Sequence, residues 1–345
     1  MRIVIDMNHP KDVNIFRYVI HSLELKGHVV KIIASDKENV LNMLNSFGFE
    51  YTTKKHYRGL MNKFLGMFKN DYIIYRECKS FKPDIFASFG SPYAAQVSKL
   101  YGKKHISFSD TDSNVKTLNH FTLTTLLFSE INYVPSCHRK SRKYKQARFD
   151  GYYELAYLSA KYFTPDPSVL ENLGIKESDK YILVRLSALN AHHDVGVKGF
   201  NFASESELLG YINTLEQYGK VFISSEKPLS GVLEKYELKI HSDDFHSFMY
   251  YASLYIGEGA SMASEAAILG VPSIYVSTTT RGYLEELERK YGLCYTIVDK
   301  QEALLKAATI LDSNLTSLWE KKRIKMLQDK IDVVDFMVDA IEKEL

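Results

Sequence analysis

The sequence predicts an α/β fold of two domains, each an open parallel sheet flanked by helices, with the working cleft between them. Three observations carry this. Strand-like and helix-like patterns alternate along the chain, as crossover-connected parallel sheets require. Helical runs stop at glycines such as Gly27 and Gly48, the usual C-terminal signal. Finally, residues 151–180 hold Gly151, Pro165, Pro167 and Gly174 and read as the connection between the domains.

In order, "RIVIDM" (2–7) reads as a strand and "KDVNIFRYVIHSLELKG" (11–27) as an amphipathic helix. "HVVKIIAS" (28–35) is a strand and "KENVLNMLNSFG" (37–48) a helix. "KPDIFASFG" (82–90), "KKHISFS" (103–109) and "INYVPS" (131–136) are strands, with a helix near 92–101. The second half repeats the alternation. "KYILVRLS" (180–187), "KVFISS" (220–225), "SLYIGEG" (253–259), "PSIYVS" (272–277) and "CYTIV" (294–298) are strands, with a helix at 204–219. We set the domains at 1–160 and 161–345, the last helical pattern (314–345) reaching back across the junction. Ligands bind beyond the carboxyl ends of such strands.

With 345 residues, 45% hydrophobic and 25% charged, the chain has the size and composition of a two-domain globular protein. No apolar run approaches the ~20 residues of a membrane span. "MRIVIDMNHP" reaches Asp6 too soon for a secretory signal. Cys78, Cys137 and Cys294 show no metal spacing and suit a reducing cytoplasm. Residues 1–150 hold 24 Lys and Arg against 13 Asp and Glu, and residues 151–345 hold 20 against 29. The first half therefore favours an anionic partner, unless the two charges only solvate or dock the halves.

The most informative stretch is "IGEGASMASEAAILGVPSIYV" (256–276). Gly257 and Gly259 permit close approach of the backbone. A helix beginning near Ser261 aims free N–H groups and a positive dipole end at the same point, an anion site best suited to phosphate. Glu265, one turn inside, can accept hydrogen bonds from a ribose diol. The same spacing also describes a plain buried strand–helix turn.

"EGASMASE" with "AAILGVPSIYV" resembles the nucleotide-sugar signature of GT-B glycosyltransferases, and is similar to the lipid-II-forming N-acetylglucosaminyltransferases. "DDFHSFMYYASLYIG" (243–257) resembles that family's base-binding segment. The resemblance implies that Glu265 holds the ribose, that Gly259, Ala260, Ser261 and Met262 face the phosphates, and that Phe245 lies near the base. Arg281 is placed with this set. The whole chain resembles domain-of-unknown-function family 354, a GT-B-like family, through "DMNHPKDVNIF" (6–16), "SDTDSN" (109–114), "GYYELAYL" (151–158) and "RLSALNAHHDVGVKGF" (185–200). The expected fold is thus GT-B-like, two Rossmann-type domains, the first on the acceptor side and the second binding the nucleotide sugar.

Other residues join this scheme. "MNHPKD" (7–12) has no glycine with which to cradle pyrophosphate. His9 there can serve as general base, or merely pack beside a helix cap. In the 185–200 loop, Arg185 and Lys198 can neutralise a leaving diphosphate, and His192 and His193 can do acid–base work. Adjacent histidines seldom share one ion, so no metal is expected. Asp110, beside Asp112, is a candidate base, or a helix cap. "KKHYRGLMNKFLGMFKN" (54–70) sets apolar residues among cations at helical spacing, as an interfacial membrane helix or an ordinary surface helix does.

The expected function is a glycosyltransferase moving a sugar from a nucleotide diphosphate, expected to be UDP, onto an acceptor in surface polysaccharide or glycolipid synthesis. The acceptor would be lipid-linked or glycan, met in the cytoplasm or on the inner face of an anionic membrane. No cofactor and no nucleic-acid partner is expected. A hydrolysing UDP-sugar 2-epimerase shares the architecture, but its "HxEAGLR"-type stretch is replaced here by "SFSDTDSN" (107–114). A non-catalytic nucleotide-sugar-binding subunit is the remaining alternative.

Overall fold

The structure, a computed structural model, describes residues 1–57, 60–112, 120–139, 145–187, 199–313 and 316–344. Two compact units emerge. Unit 1 comprises Met1–Thr111, Lys116–Tyr157 and Ile331–Leu345, and unit 2 comprises Asp112–Val115 and Leu158–Lys330.

Unit 1 begins with β1 (Arg2–Met7), α1 (Pro10–Leu25), β2 (Val29–Ser35), α2 (Glu38–Ser46), β3 (Tyr51–Lys54), α3 (Leu60–Phe81) and β4 (Ile85–Phe89). It continues with α4 (Pro92–Leu100), β5 (Lys104–Phe108), α5 (His120–Phe128), β6 (Ile131–Pro135) and β7 (Gln146–Phe149). All seven strands are parallel, in the order β3-β2-β1-β4-β5-β6-β7. Ile3, Val4, Ile5 and Met7 of the central β1 are fully buried, as expected where helices cover both faces. In α1, Val13, Phe16, Val19, Ile20 and Leu23 form the buried stripe, and Pro10 opens the helix where no backbone N–H is needed.

Two strands escaped the sequence pattern. "YTTK" (β3) and "QARF" (β7) are four residues each and lie at the two edges of the sheet, where apolar alternation is not demanded. The stretch 54–70 also differs from expectation. Lys54 ends β3, and the helix starts only at Leu60 but runs on to Phe81. Ile74 and Cys78, both fully buried, carry its inner face.

Unit 2 contains α7 (Ser168–Glu171), β8 (Tyr181–Leu186), α8 (Glu205–Glu216), β9 (Lys220–Ser225) and α9 (Phe245–Tyr250), preceded by the short α6 (Leu155–Leu158) at the unit boundary. β10 (Leu254–Gly257), α10 (Ala260–Leu269), β11 (Ser273–Val276), α11 (Gly282–Glu286), β12 (Cys294–Ile297), α12 (Lys300–Asp312) and α13 (Thr316–Gln328) complete it. Its five parallel strands run β12-β11-β10-β8-β9. The final helical pattern of the sequence is two helices. α13 lies in unit 2, and α14 (Val333–Lys343) lies in unit 1.

α14 is bound firmly to its unit. Phe336 stacks on Phe149 with ring centroids 4.6 Å apart and meets Tyr133 edge-on at 5.3 Å. Glu342 takes hydrogen bonds from Lys26 Nζ and pairs with His28 Nε2, both at 2.8 Å.

Candidate functional site

The donor-type site predicted for unit 2 is built on β10 and α10. Gly259 is the N-cap of α10, in extended conformation, and provides no side-chain cap. The N–H groups of Ala260, Ser261 and Met262 therefore point out of the helix start without a partner among the described residues. All three residues are half-buried. The preceding Gly257 has a local reason. A Cβ there would lie 2.5 Å from Arg185 Cβ and 2.9 Å from Tyr255 Oη, so it lets β10 pack against β8.

Glu265 is buried within α10, and its Oε1 is 3.4 Å from Nε2 of His246 on α9. Phe245 is half-buried at the start of α9, beside His246. Arg281 precedes α11, which packs against α10. It is 6% exposed, and its Nη1 donates to Thr280 O at 3.1 Å and approaches Thr279 Oγ1 at 3.5 Å. No carboxylate pairs with it among the described residues. A buried guanidinium with only neutral partners leaves a positive charge that an anion would satisfy.

Arg185, at the end of β8, is differently engaged. Nη1 donates to Ser224 Oγ at 2.9 Å and Nη2 pairs with Glu226 at 3.0 Å. His192, His193 and Lys198 lie outside the described residues, as do Ser113 and Asn114.

In unit 1, His9 is the exposed N-cap of α1. Asp12 Oδ2 accepts the backbone N–H groups of Asn8 at 2.7 Å and His9 at 3.1 Å, closing the helix start. Burial drives the Asp12 carboxyl up to about 7 despite these two bonds. Asp110 is buried, and Lys11 Nζ donates to its Oδ2 at 2.6 Å and to Glu154 Oε1 at 2.9 Å. Burial raises the Glu154 carboxyl, opposed chiefly by Lys11. Asp110 thus joins Lys11 and Glu154 in a cluster of ionisable groups beyond the carboxyl ends of β1 and β5. Lys11 and Glu154 were missed, although both stand in the quoted motifs 6–16 and 151–158.

A second buried network lies nearby in the same unit. Asp6 of β1 pairs with Lys54 of β3 and accepts from Ser91 Oγ. Asp71 of α3 faces this group, and burial together with the Asp6 charge raises it to about 7.

Two parallel-sheet α/β units, of seven and five strands, are the architecture of the GT-B fold. The chain belongs to the family described as protein of unknown function (DUF354), whose model matches residues 1–344. No curated protein matches the sequence. Among solved structures it is similar to the UDP-GlcNAc 2-epimerase of Neisseria meningitidis bound to UDP-GlcNAc, at 12% identity and a TM-score of 0.70 over 99% of this chain and 100% of that one. The spinosyn forosaminyltransferase SpnP is similar at 13% identity and 0.66, over 99% of each chain. MurG of Acinetobacter baumannii is similar at 14% and 0.59, over 99% and 100%. These likenesses establish the fold.

Proposed function

We propose that the protein is a glycosyltransferase that takes its sugar from a UDP-sugar held in unit 2. The observation that carries this reading is the buried Arg281 without a carboxylate, on an element packed against α10 and its three open N–H groups. Together they offer a diphosphate one cation and a helix dipole. Glu265 takes the ribose hydroxyls, and Phe245 lies near the base. Similar proteins whose structures hold UDP-GlcNAc or UDP support the choice of nucleotide.

In the transfer, the acceptor hydroxyl loses its proton to a base as its oxygen bonds the sugar carbon. The bond from that carbon to the diphosphate breaks, and the charge left on UDP is taken up by Arg281 and the α10 amides. We assign the base to Asp110, oriented by Lys11, with exposed His9 as the other candidate. The test is UDP release from UDP-sugars with and without acceptor extracts. Release that needs acceptor supports a transferase.

One observation favours the 2-epimerase reading instead. Asp110 and Glu154 share one lysine, and paired carboxylates can move a proton at a sugar carbon. That enzyme would release UDP with no acceptor present, and a non-catalytic binding subunit would release none.

We further propose a lipid-linked or glycan acceptor, met at the cytoplasmic face of an anionic membrane. No helix among the described residues is long and apolar enough to span one. Support comes from exposed Phe68 and Tyr72 on α3 and Leu123 and Leu127 on α5, both packed on α4 within the basic half of the chain.

A further inference from the structure

Two buried hydroxyl groups reach the start of α10 from within unit 2. Tyr255 of β10 is fully buried, and its Oη donates to the Gly259 carbonyl oxygen at 3.2 Å. Ser264 of α10 is fully buried too, and its Oγ donates to the Ser261 carbonyl oxygen at 2.8 Å. The first acceptor already has a partner, since Gly259 O takes the Ala263 N–H at 2.9 Å. Burial raises the Tyr255 phenol, which therefore stays an O–H donor at neutral pH. The two glycines serve this arrangement. Tyr255 and Gly257 lie on one face of β10. A Cβ on Gly257 would lie 2.9 Å from Tyr255 Oη, and one on Gly259 3.4 Å from it. The tyrosine lies across the space that both missing side chains would take, and so reaches the helix cap.

A peptide group joins the carbonyl of one residue to the N–H of the next through a resonant bond. The oxygen bonded by Tyr255 therefore belongs to the same peptide group as the Ala260 N–H. The oxygen bonded by Ser264 belongs with the Met262 N–H. These are the first and third of the three open N–H groups at the helix start. A hydrogen bond accepted at the carbonyl draws electron density from the nitrogen and makes its N–H a stronger donor, as linked hydrogen bonds polarise one another. A third hydroxyl supplies the contrast. Ser273 of β11, fully buried, donates to the Ala263 carbonyl oxygen at 2.8 Å. That peptide group carries the Ser264 N–H, which belongs to the internal ladder of the helix and faces no anion.

We propose that Tyr255 and Ser264 are positioning residues whose hydroxyls polarise the Ala260 and Met262 amides and thereby raise the protein's affinity for the diphosphate of a nucleotide. This rests on the reading of α10 as the donor site. Neither side chain need touch the nucleotide. Each acts through the peptide group that it bonds, on the side of the helix start away from the ligand.

The test pairs calorimetry with amide NMR on the full chain, using Tyr255→Phe, Ser264→Ala and Ser273→Ala. Each variant loses a hydroxyl and leaves the carbonyl its helix bond, so no buried acceptor is stranded. UDP affinity should fall about threefold in Ser264→Ala and about twofold in Tyr255→Phe, whose bond is longer. Uridine affinity should stay as it was in both. In the ligand-free protein, the amide nitrogen resonance of Met262 should move upfield in Ser264→Ala, and that of Ala260 in Tyr255→Phe. Ser273→Ala should move neither resonance and leave UDP affinity unaltered. Normal UDP affinity in both Tyr255→Phe and Ser264→Ala overturns the proposal and leaves the donor site standing. Unmoved resonances overturn it too. So does an equal loss in Ser273→Ala or for uridine, which would assign the effect to the seating of the helix. If the unaltered protein binds no UDP, the donor-site reading fails, and the affinity role of the two hydroxyls fails with it.

Discussion

Nε2 of His246 lies 3.4 Å from Oε1 of Glu265, so the carboxylate assigned to the ribose is steadied by a neighbour on α9. Losing a hydrogen bond to a charged group costs roughly 1.5–3 kcal/mol. Glu265→Ala is expected to weaken UDP binding at least several-fold with the melting temperature little changed. His246→Ala should weaken it less, because Glu265 itself remains. Calorimetry that shows unaltered affinity for Glu265→Ala removes this residue from the site.

Arg281 should show a trade between binding and stability. Its guanidinium is buried beside neutral oxygens, so the ligand-free protein bears a desolvation cost of several kcal/mol that the ligand would relieve. Arg281→Met is expected to melt at or above the temperature of the unaltered protein, yet to lose the stabilisation that UDP confers. Thermal shift with and without UDP checks both halves at once. A variant still stabilised by UDP to the same extent would separate Arg281 from the anion.

Asp110 should matter for turnover rather than for donor binding. Asp110→Asn keeps the shape of the Lys11 contact but cannot take a proton. Loss of general base catalysis costs about 10²–10⁴-fold in rate, with UDP affinity unchanged. Equal activity in Asp110→Asn would move the base to His9, which His9→Gln then tests.

Asp71 predicts a pH dependence of stability. Its carboxyl is raised from 3.8 to about 7, first by burial and then by the Asp6 charge, and its Oδ1 has no hydrogen-bond partner among the described residues. The folded state therefore keeps this proton between about pH 4 and 7, where the unfolded chain releases it. Stability should fall as pH rises through that window and level off above it. Asp71→Asn should remove on the order of 2 kcal/mol of that fall. Urea titrations at pH 4.5 and 8 measure the difference. An unchanged difference in the variant assigns the pH dependence to other groups.

Membrane contact is tested by co-sedimentation with anionic and neutral vesicles. The unaltered protein should pellet with anionic vesicles at low salt, since each nearby cation contributes about 1 kcal/mol. Phe68→Glu with Leu127→Glu should shift it to the supernatant. An unaltered protein that stays in solution ends the membrane reading and leaves the basic half to a soluble acidic glycan.

The alternating pattern made the two sheets legible because buried parallel strands such as β1 are nearly continuous apolar runs. The edge strands β3 and β7 were not legible, since short polar edges carry little hydrophobic signal. At the site, glycines, a helix start and Glu265 stood within one short stretch. Lys11, Glu154 and His246 were invisible for another reason. Each works through a partner distant in sequence, 99 residues in the case of Lys11 and Asp110, and such pairing leaves no local trace.

α14 returns to unit 1 after all of unit 2 has been made. A ribosome delivering this chain releases the first 157 residues long before the helix that covers Phe149 and Tyr133 exists. Unit 1 must wait, with its aromatic seam open, while Leu158–Lys330, nearly all of unit 2, is synthesised. Cutting the gene at the obvious junction would give a second unit that keeps nearly all its parts and a first unit that lacks a wall. Expression of unit 1 by itself calls for residues 331–344 to be joined back to it through a linker.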